Sequence, residues 1–386
     1  NKILLCVCGG IAAYKAIDLA SRLIKAGYHV RTVLTPSAQE LISPINFSAI
    51  THERVYRSLW EEDDPIPHIT LADWADLIVV APATANTIAK AAHGIADNLL
   101  SSLLLAHTKP VLWIPAMNVN MYQNPVTREN LDKLKSLGHH VLEPATGMLA
   151  CGYEGQGKYP PNAEVVAAIA CYIKHGEDLK GKKVLVTAGA TEEAIDPMRT
   201  ISNKSSGRMG IALARALALR GADVVLVYAR ISVEIPYYLH TAIEAVSVRE
   251  MHKAVMKYSG SSEWIIKCAA VSDYAPSETS KQKIKKGKAI SMELTPTVDI
   301  LAELGKKKKR GQKLIGFAAE TQNLVANAQA KLKNKNLDMV VVNHLDNVGR
   351  IENEIRIISH GDTTGKLLCA SKEELTHTII DRIMSL

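Results

Sequence analysis

The feature that most constrains this chain is a layout that occurs twice: a short apolar strand runs into glycine and then into a helical pattern. Residues 2–7 (KILLCV) end at Gly9-Gly10 and are followed by AAYKAIDLASRLIKAG. Residues 182–189 (KKVLVTAG) open the second occurrence, where a long loop precedes GIALARALALRGA and a second strand, DVVLVY. Strands buried on both faces read as continuous apolar runs, and strand–helix alternation closes as a mainly parallel sheet covered by helices. Further runs of strand length stand at 29–35, 76–81 and 110–114, and again at 263–270, 313–319 and 338–343. The expectation is α/β, with two doubly wound Rossmann-like domains over 1–175 and 181–386, parted in the stretch His175–Lys180. Residues 351–370 read as a closing β-hairpin turning at Gly361-Asp362, before a last amphipathic helix from Lys372.

A length of 386 residues exceeds what one hydrophobic core organises, and with only two Phe the cores must be aliphatic. The net charge of +7 is spread along the chain apart from the run Lys306–Arg310. No aromatic platform accompanies it, so anionic small molecules are expected rather than nucleic acid. Cys6, Cys8, Cys151, Cys171, Cys268 and Cys369 show no metal-type pairing and no disulfide framework. With no signal peptide and no apolar run of membrane length, a reduced, cytoplasmic protein without membrane contact is expected. The first residue is Asn1 rather than Met, so a few residues are expected to precede it.

In the first half, Gly9-Gly10 opens a phosphate-sized turn at a helix N-terminus, and Ser37 adds a hydroxyl after the second strand. The third strand delivers small residues with Thr84 and Asn86, against which a flat ring can lie and be hydrogen-bonded; the fourth delivers Asn118. Without GxGxxG, an NAD site is disfavoured. The blocks GGIAAYKA, LTPSA, APATANTIAKAAHGIADNLL, PAMNVNMYQNP and GMLACGYEGQGK resemble, in this order, the flavin-containing cysteine decarboxylases, in the phosphopantothenoylcysteine decarboxylase subgroup. The resemblance implies a flavodoxin-like domain that binds FMN, which accepts a hydride so that the substrate thiol becomes a thioaldehyde, an electron sink for the loss of CO2, and later returns it. It implies His68 as the catalytic histidine, Asn118 as holding the substrate carboxylate, and Cys151 on a flap as proton donor. Lys158 and Cys8 stand where that family usually has Arg and Thr, and Lys158 lacks the bidentate fork of Arg.

In the second half, the loop TEEAIDPMRTISNKSSGRMG is rich in hydrogen-bond donors and ends at Gly207, a helix start that invites an anion. Asp273 stands just past a strand, with Lys283, Lys285 and Lys286 close behind it, a plausible metal–triphosphate combination or an ordinary charged hairpin. With AAVSDY, KIKK, PTVDIL, GFAAET and KLKNKNLDMVVVN in order, this half resembles phosphopantothenate–cysteine ligase. The resemblance implies an acyl-nucleotide made from 4'-phosphopantothenate and CTP with Mg2+ or another divalent cation, then attacked by L-cysteine to give 4'-phosphopantothenoylcysteine. Asn203 would stabilise the intermediate and Lys283 would offset triphosphate charge. Lys267, Cys268, Ala269, Asp273 (also the metal ligand), Val298, Asp299, Ile300, Leu301, Phe317, Lys331 and Lys335 would frame the nucleotide. It further implies homo-oligomers: trimers, up to dodecamers, through the flavin half, with His68 meeting FMN across subunits, and dimers through the ligase half. Rival readings are an NAD oxidoreductase, a non-catalytic flavoprotein regulatory subunit, against which His68, Asn118 and Cys151 together argue, and a nucleic-acid binder.

Overall fold

Six strands of the first half, β1 (Lys2–Val7), β2 (His29–Leu34), β3 (Val55–Tyr56), β4 (Leu77–Ala83), β5 (Val111–Pro115) and β6 (His140–Val141), form one parallel sheet of order 3-2-1-4-5-6. This is the Rossmann order; without the two-residue β3 it is the flavodoxin-like one. Every residue of β4 is buried, because helices cover both faces of the central strands. A small antiparallel hairpin, β7 (Ala145–Met148) and β8 (Glu154–Lys158), follows the sheet. The computed structural model describes residues 1–60, 64–287, 291–320, 323–344, 352–361, 365 and 367–386, and its contacts divide the chain into Asn1–Gly176 and Glu177–Leu386.

The second unit repeats the order. Its sheet holds β9 (Lys183–Ala188), β12 (Asp223–Tyr228), β13 (Thr241–Glu244), β14 (Trp264–Lys267), β17 (Lys313–Glu320) and β18 (Met339–His344), all parallel, then β19 (Glu352–Ser359) and β20 (Leu367–Ser371), antiparallel. From one edge the order is β13-β12-β9-β14-β17-β18-β19-β20, so the parallel part again runs 3-2-1-4-5-6. Hairpins β10–β11 (Glu192–Asp196, Arg199–Ser202) and β15–β16 (Tyr274–Pro276, Leu294–Pro296) stand outside the sheet. Among the described residues no helix is long and apolar enough to cross a membrane.

Two expectations need correction. The run 263–270 is strand only to Lys267. Beyond it the backbone turns over the end of β9, where the Ala269 amide donates to Thr187 Oγ1 (3.0 Å) and the Ala270 amide to the Gly189 carbonyl (2.8 Å). The long loop after β9 contains the β10–β11 hairpin. Of the closing turn, Gly361 is seen at φ 83°, while Asp362 lies outside the described residues.

Helix Arg208–Leu219 lies directly on the end of β9: a Cβ on Gly210 would stand 2.6 Å from that of Ala188. The residue after this helix, Arg220, is 1% exposed. Its guanidinium donates to both carboxylate oxygens of Asp178 (2.8 and 2.6 Å) and pairs with Asp381 (2.7 Å) of the last helix, Lys372–Met384. It therefore ties three segments of the unit together. Arg220→Met should destabilise them by about 2 kcal/mol, because two carboxylates lose their partner. Hydrogen exchange of the full chain should then be roughly 30-fold faster in helices Arg208–Leu219 and Lys372–Met384.

Candidate active sites

In the first unit the strand order reverses between β1 and β4, and a cavity of about 590 Å³ opens at the carboxyl ends of β1, β4 and β5. Gly9, Gly10, Thr84 and Ala116 to Asn118 form one side; Met148 to Cys151 and Gly157 to Tyr159, from the β7–β8 hairpin, form the other. Gly9 is required, since a Cβ there would fall 2.3 Å from that of Ser37; a Cβ on Gly10 would make only ordinary contacts, the nearest to Thr84 Cγ2 at 3.6 Å. Thr84 caps the next helix and shares a hydrogen bond with Thr87 (3.2 Å) above the buried Cys8, whose thiol burial pushes up.

Asn118 caps helix Val119–Gln123, its Oδ1 accepting from the Asn120 amide (2.8 Å). That fixes the side chain, and its Nδ2 donates to Cys151 Sγ at 3.1 Å. The exposed Cys151 thiol is held below its ordinary pKa, first by this donor and then by the Tyr153 backbone. The hairpin reaches Asn118 because Gly157 (φ 147°) crosses the β5 loop: its carbonyl accepts from the Met117 amide (3.0 Å), and a Cβ would come within 2.3 Å of the Met117 oxygen. Lys15 and Lys158 also line the cavity, and among the described residues its lining holds no carboxylate. Burial, and then Lys158, lower the Lys15 pKa.

His68, Ser37 and Asn86 are not in that lining. Ser37 is exposed on the one-turn helix Pro36–Gln39, and Asn86 is exposed in the first turn of helix Ala85–His93. His68, in helix Pro67–Trp74, is half-buried, with Nδ1 buried and unpartnered.

In the second unit the order reverses between β9 and β14, and a cavity of about 170 Å³ lies there. Of the residues expected from sequence, Cys268, Ala269 and Phe317 line it. Burial pushes the Cys268 thiol up to about 12. A second cluster assembles from β14 and the helices Ile300–Lys307 and Leu324–Asn334. Lys335 pairs with Asp299 (2.7 Å), Lys331 donates to the Phe317 carbonyl (2.8 Å), and Lys267 is pushed down to about 8 by burial and by Lys331. Ile300 and Leu301 are buried in the core, so only their backbone can face a ligand, whereas Val298 is exposed. Asn203 is held by its Nδ2 donating to the Val271 carbonyl (3.1 Å). Lys283 is exposed; beside it, the Ile284 amide donates to Asp196 Oδ2 (3.1 Å), which anchors this segment to the β10–β11 turn. Asp273 is exposed, and no group of three metal-ligating side chains occurs among the described residues.

A sequence model described as Flavoprotein matches residues 1–174, and one described as DNA/pantothenate metabolism flavoprotein C-terminal domain matches residues 179–386. The chain is similar to the Coenzyme A biosynthesis bifunctional protein CoaBC of Bacillus subtilis (strain 168), with 43% identity over 100% of this chain and 97% of that protein. The protein of the same name from Haemophilus influenzae is 40% identical over 98% of this chain and 96% of its own. A Cysteine/Cysteine sulfinic acid decarboxylase from an unknown prokaryotic organism is also 40% identical, over 90% of this chain and 99% of that protein.

The chain belongs to the coenzyme A biosynthesis bifunctional protein family. Within that family frame, sequence reasoning passed over Lys15 and Tyr159 in the first cavity, and Asn343 and Lys372 in the second, whereas Lys204, Gly207 and Arg208 belong to the donor-rich loop already marked for an anion. One signal was available: the helices after β1 and β9 carry no acidic residue in their first turns, where carboxylates are ordinarily favoured. Lys372 gave no such signal, being remote in sequence.

The Asn118–Cys151 contact is directly testable. Asn118→Ala removes the main group that lowers the thiol pKa, so the pH midpoint for iodoacetamide modification of Cys151, followed by peptide mass spectrometry, should move upward. An unchanged midpoint would show that the amide does not act on the sulfur.

Proposed function

We propose that the chain is a bifunctional enzyme of coenzyme A biosynthesis. Its second unit, 181–386, joins 4'-phosphopantothenate to L-cysteine with CTP. Its first, 1–175, decarboxylates the product, 4'-phosphopantothenoylcysteine, to 4'-phosphopantetheine with FMN. The observation that carries this reading is the Asn118–Cys151 pair over an apolar-walled cavity at one switch point, in a chain whose other switch point is lined by cations.

The first cavity fits a flavin. It has the volume of a small-molecule site, the glycine backbone of Gly9 and Gly10 along one wall, a hydroxyl at Thr84 and two ammonium groups for a phosphate. A bound FMN supplies the hydride acceptor without which the acylated cysteine has no electron sink. Gly9, Gly10, Ser37, Thr84 and Asn86 hold or support it. Asn118 orients the substrate carboxylate, and Cys151, its thiol poised by Asn118, delivers a proton once CO2 has left. His68 acts on the substrate from a neighbouring copy. Its buried Nδ1, without a hydrogen-bond partner among the described residues, and the exposed Ile66 (52%) and Ile69 (38%) next to it in the chain support a homo-oligomer, trimeric or a dodecamer assembled from trimers.

In the ligase reaction the 4'-phosphopantothenate carboxylate attacks the α-phosphorus of CTP and the bond to diphosphate breaks. The cysteine amine then attacks the acyl carbon and releases the nucleoside monophosphate. Asn203 holds the acyl-nucleotide, and Lys283 closes over the triphosphate. Cys268, Ala269 and Phe317 face the nucleotide, with Lys267, Asp299, Lys331 and Lys335 behind them and the backbone of Val298 to Leu301 at its edge. A lone Asp273 suits a Mg2+ that arrives on the phosphates and keeps most of its own ligands. A dimer through this unit and a cytoplasmic location complete the reading.

His68→Asn should abolish decarboxylation while ligation persists; equal loss of both overturns the division of labour. Lys283→Gln should suppress diphosphate release in the absence of cysteine, with a loss of about 3 kcal/mol of transition-state stabilisation. Normal release would remove Lys283 from the triphosphate.

A further inference from the structure

The cavity of the second unit draws its cations from distant parts of the chain. Lys204 and Arg208 come from the loop and helix after β9, and Lys372 comes from the first turn of the last helix. Among the described residues no Asp or Glu lines the cavity. Lys372 is half-buried, and none of the three cations has an ion-pair partner among the described residues.

The setting of Lys372 is electrostatically adverse. A lysine at a helix N-terminus faces the positive end of the macrodipole. Burial, and then the nearby Arg208, depress its pKa. The two carboxylates beside it in sequence are turned to other tasks: Glu373 pairs with Arg215 (3.3 Å), and Glu374 closes the capping box with Ser371. An ammonium held against a guanidinium, a helix dipole and a partly desolvated wall, with no carboxylate to balance it among the described residues, is favoured by an anion in the cavity.

We infer that Lys372 is a binding residue of the ligase site, where it holds the β- and γ-phosphates of the nucleotide and the diphosphate they become. This rests on the proposed ligase reaction and extends it to a residue of the last helix. The unit is then closed by its own C-terminal helix, since the segment that completes the sheet edge also supplies a ligand to the polyphosphate.

The test uses the full chain in three variants. Lys372→Met should raise KM for CTP about tenfold and weaken product inhibition by inorganic diphosphate to a similar degree, with kcat changed less than about threefold. Lys372→Arg, which keeps the charge, should recover most of both. Lys306→Met, which removes an equal charge from an exposed position, should leave both constants unaltered and so exclude an effect of net charge. Circular dichroism and thermal melting establish that each variant is folded. Values for Lys372→Met within twofold of the native enzyme overturn the inference, as does failure of Lys372→Arg to recover in a folded protein. Arg208→Met separates the two levels. If Arg208→Met weakens diphosphate and Lys372→Met does not, only the role of Lys372 falls; if neither does, the cavity is not the polyphosphate site and the underlying reading falls with it.

Discussion

Both units depend on a constraint of parallel sheets: crossovers are right-handed, so where the strand order reverses, successive helices pass to opposite faces and leave a crevice at the carboxyl edge. The order 3-2-1-4-5-6 puts that point between β1 and β4 in the first unit and between β9 and β14 in the second. Each cavity lies there, and the loops that line it need no other reason to converge. Residues as separated as Gly10, Thr84 and Asn118 become neighbours because their strands end at one edge.

From that shared frame the units diverge through what is added over the crevice. The first adds the β7–β8 hairpin, seated on the β5 loop by Gly157, which delivers an exposed thiol to an amide already fixed as a helix cap. The second adds the β10–β11 hairpin between β9 and its helix. This separates a strand end from a helix start that a dinucleotide fingerprint would join within a few residues, and explains why GxGxxG is missing although Gly210 still makes the close helix–strand contact.

Charge is distributed unevenly in the same sense. Outside the cavities many cations are matched: Lys335 with Asp299, Lys308 with Asp338, Arg220 with Asp178 and Asp381. Inside them the half-buried Lys15 and Lys372 and the exposed Lys158, Lys204 and Arg208 face linings without carboxylates among the described residues. Positive charge gathered in a crevice in this way favours a phosphate-bearing ligand.

The sequence by itself determined the element types and their alternation, since runs such as DLIVVA and DMVVVN have no stable setting except a parallel strand covered on both faces. It also marked Gly9, Asn118, Cys151, Cys268 and Ala269, which lie at or beside strand ends, and Phe317, which lies within β17. Tertiary structure decided the rest. It ended the strand at Lys267, because Thr187 and the Gly189 carbonyl draw the chain over β9, and it turned Ile300 and Leu301 into the core. It left His68 outside its own chain's cavity and brought Lys372 beside Arg208. Periodicity reports which face of an element is apolar, but which distant charge a strand end will meet depends on the crossing of the whole sheet, and that is not local information.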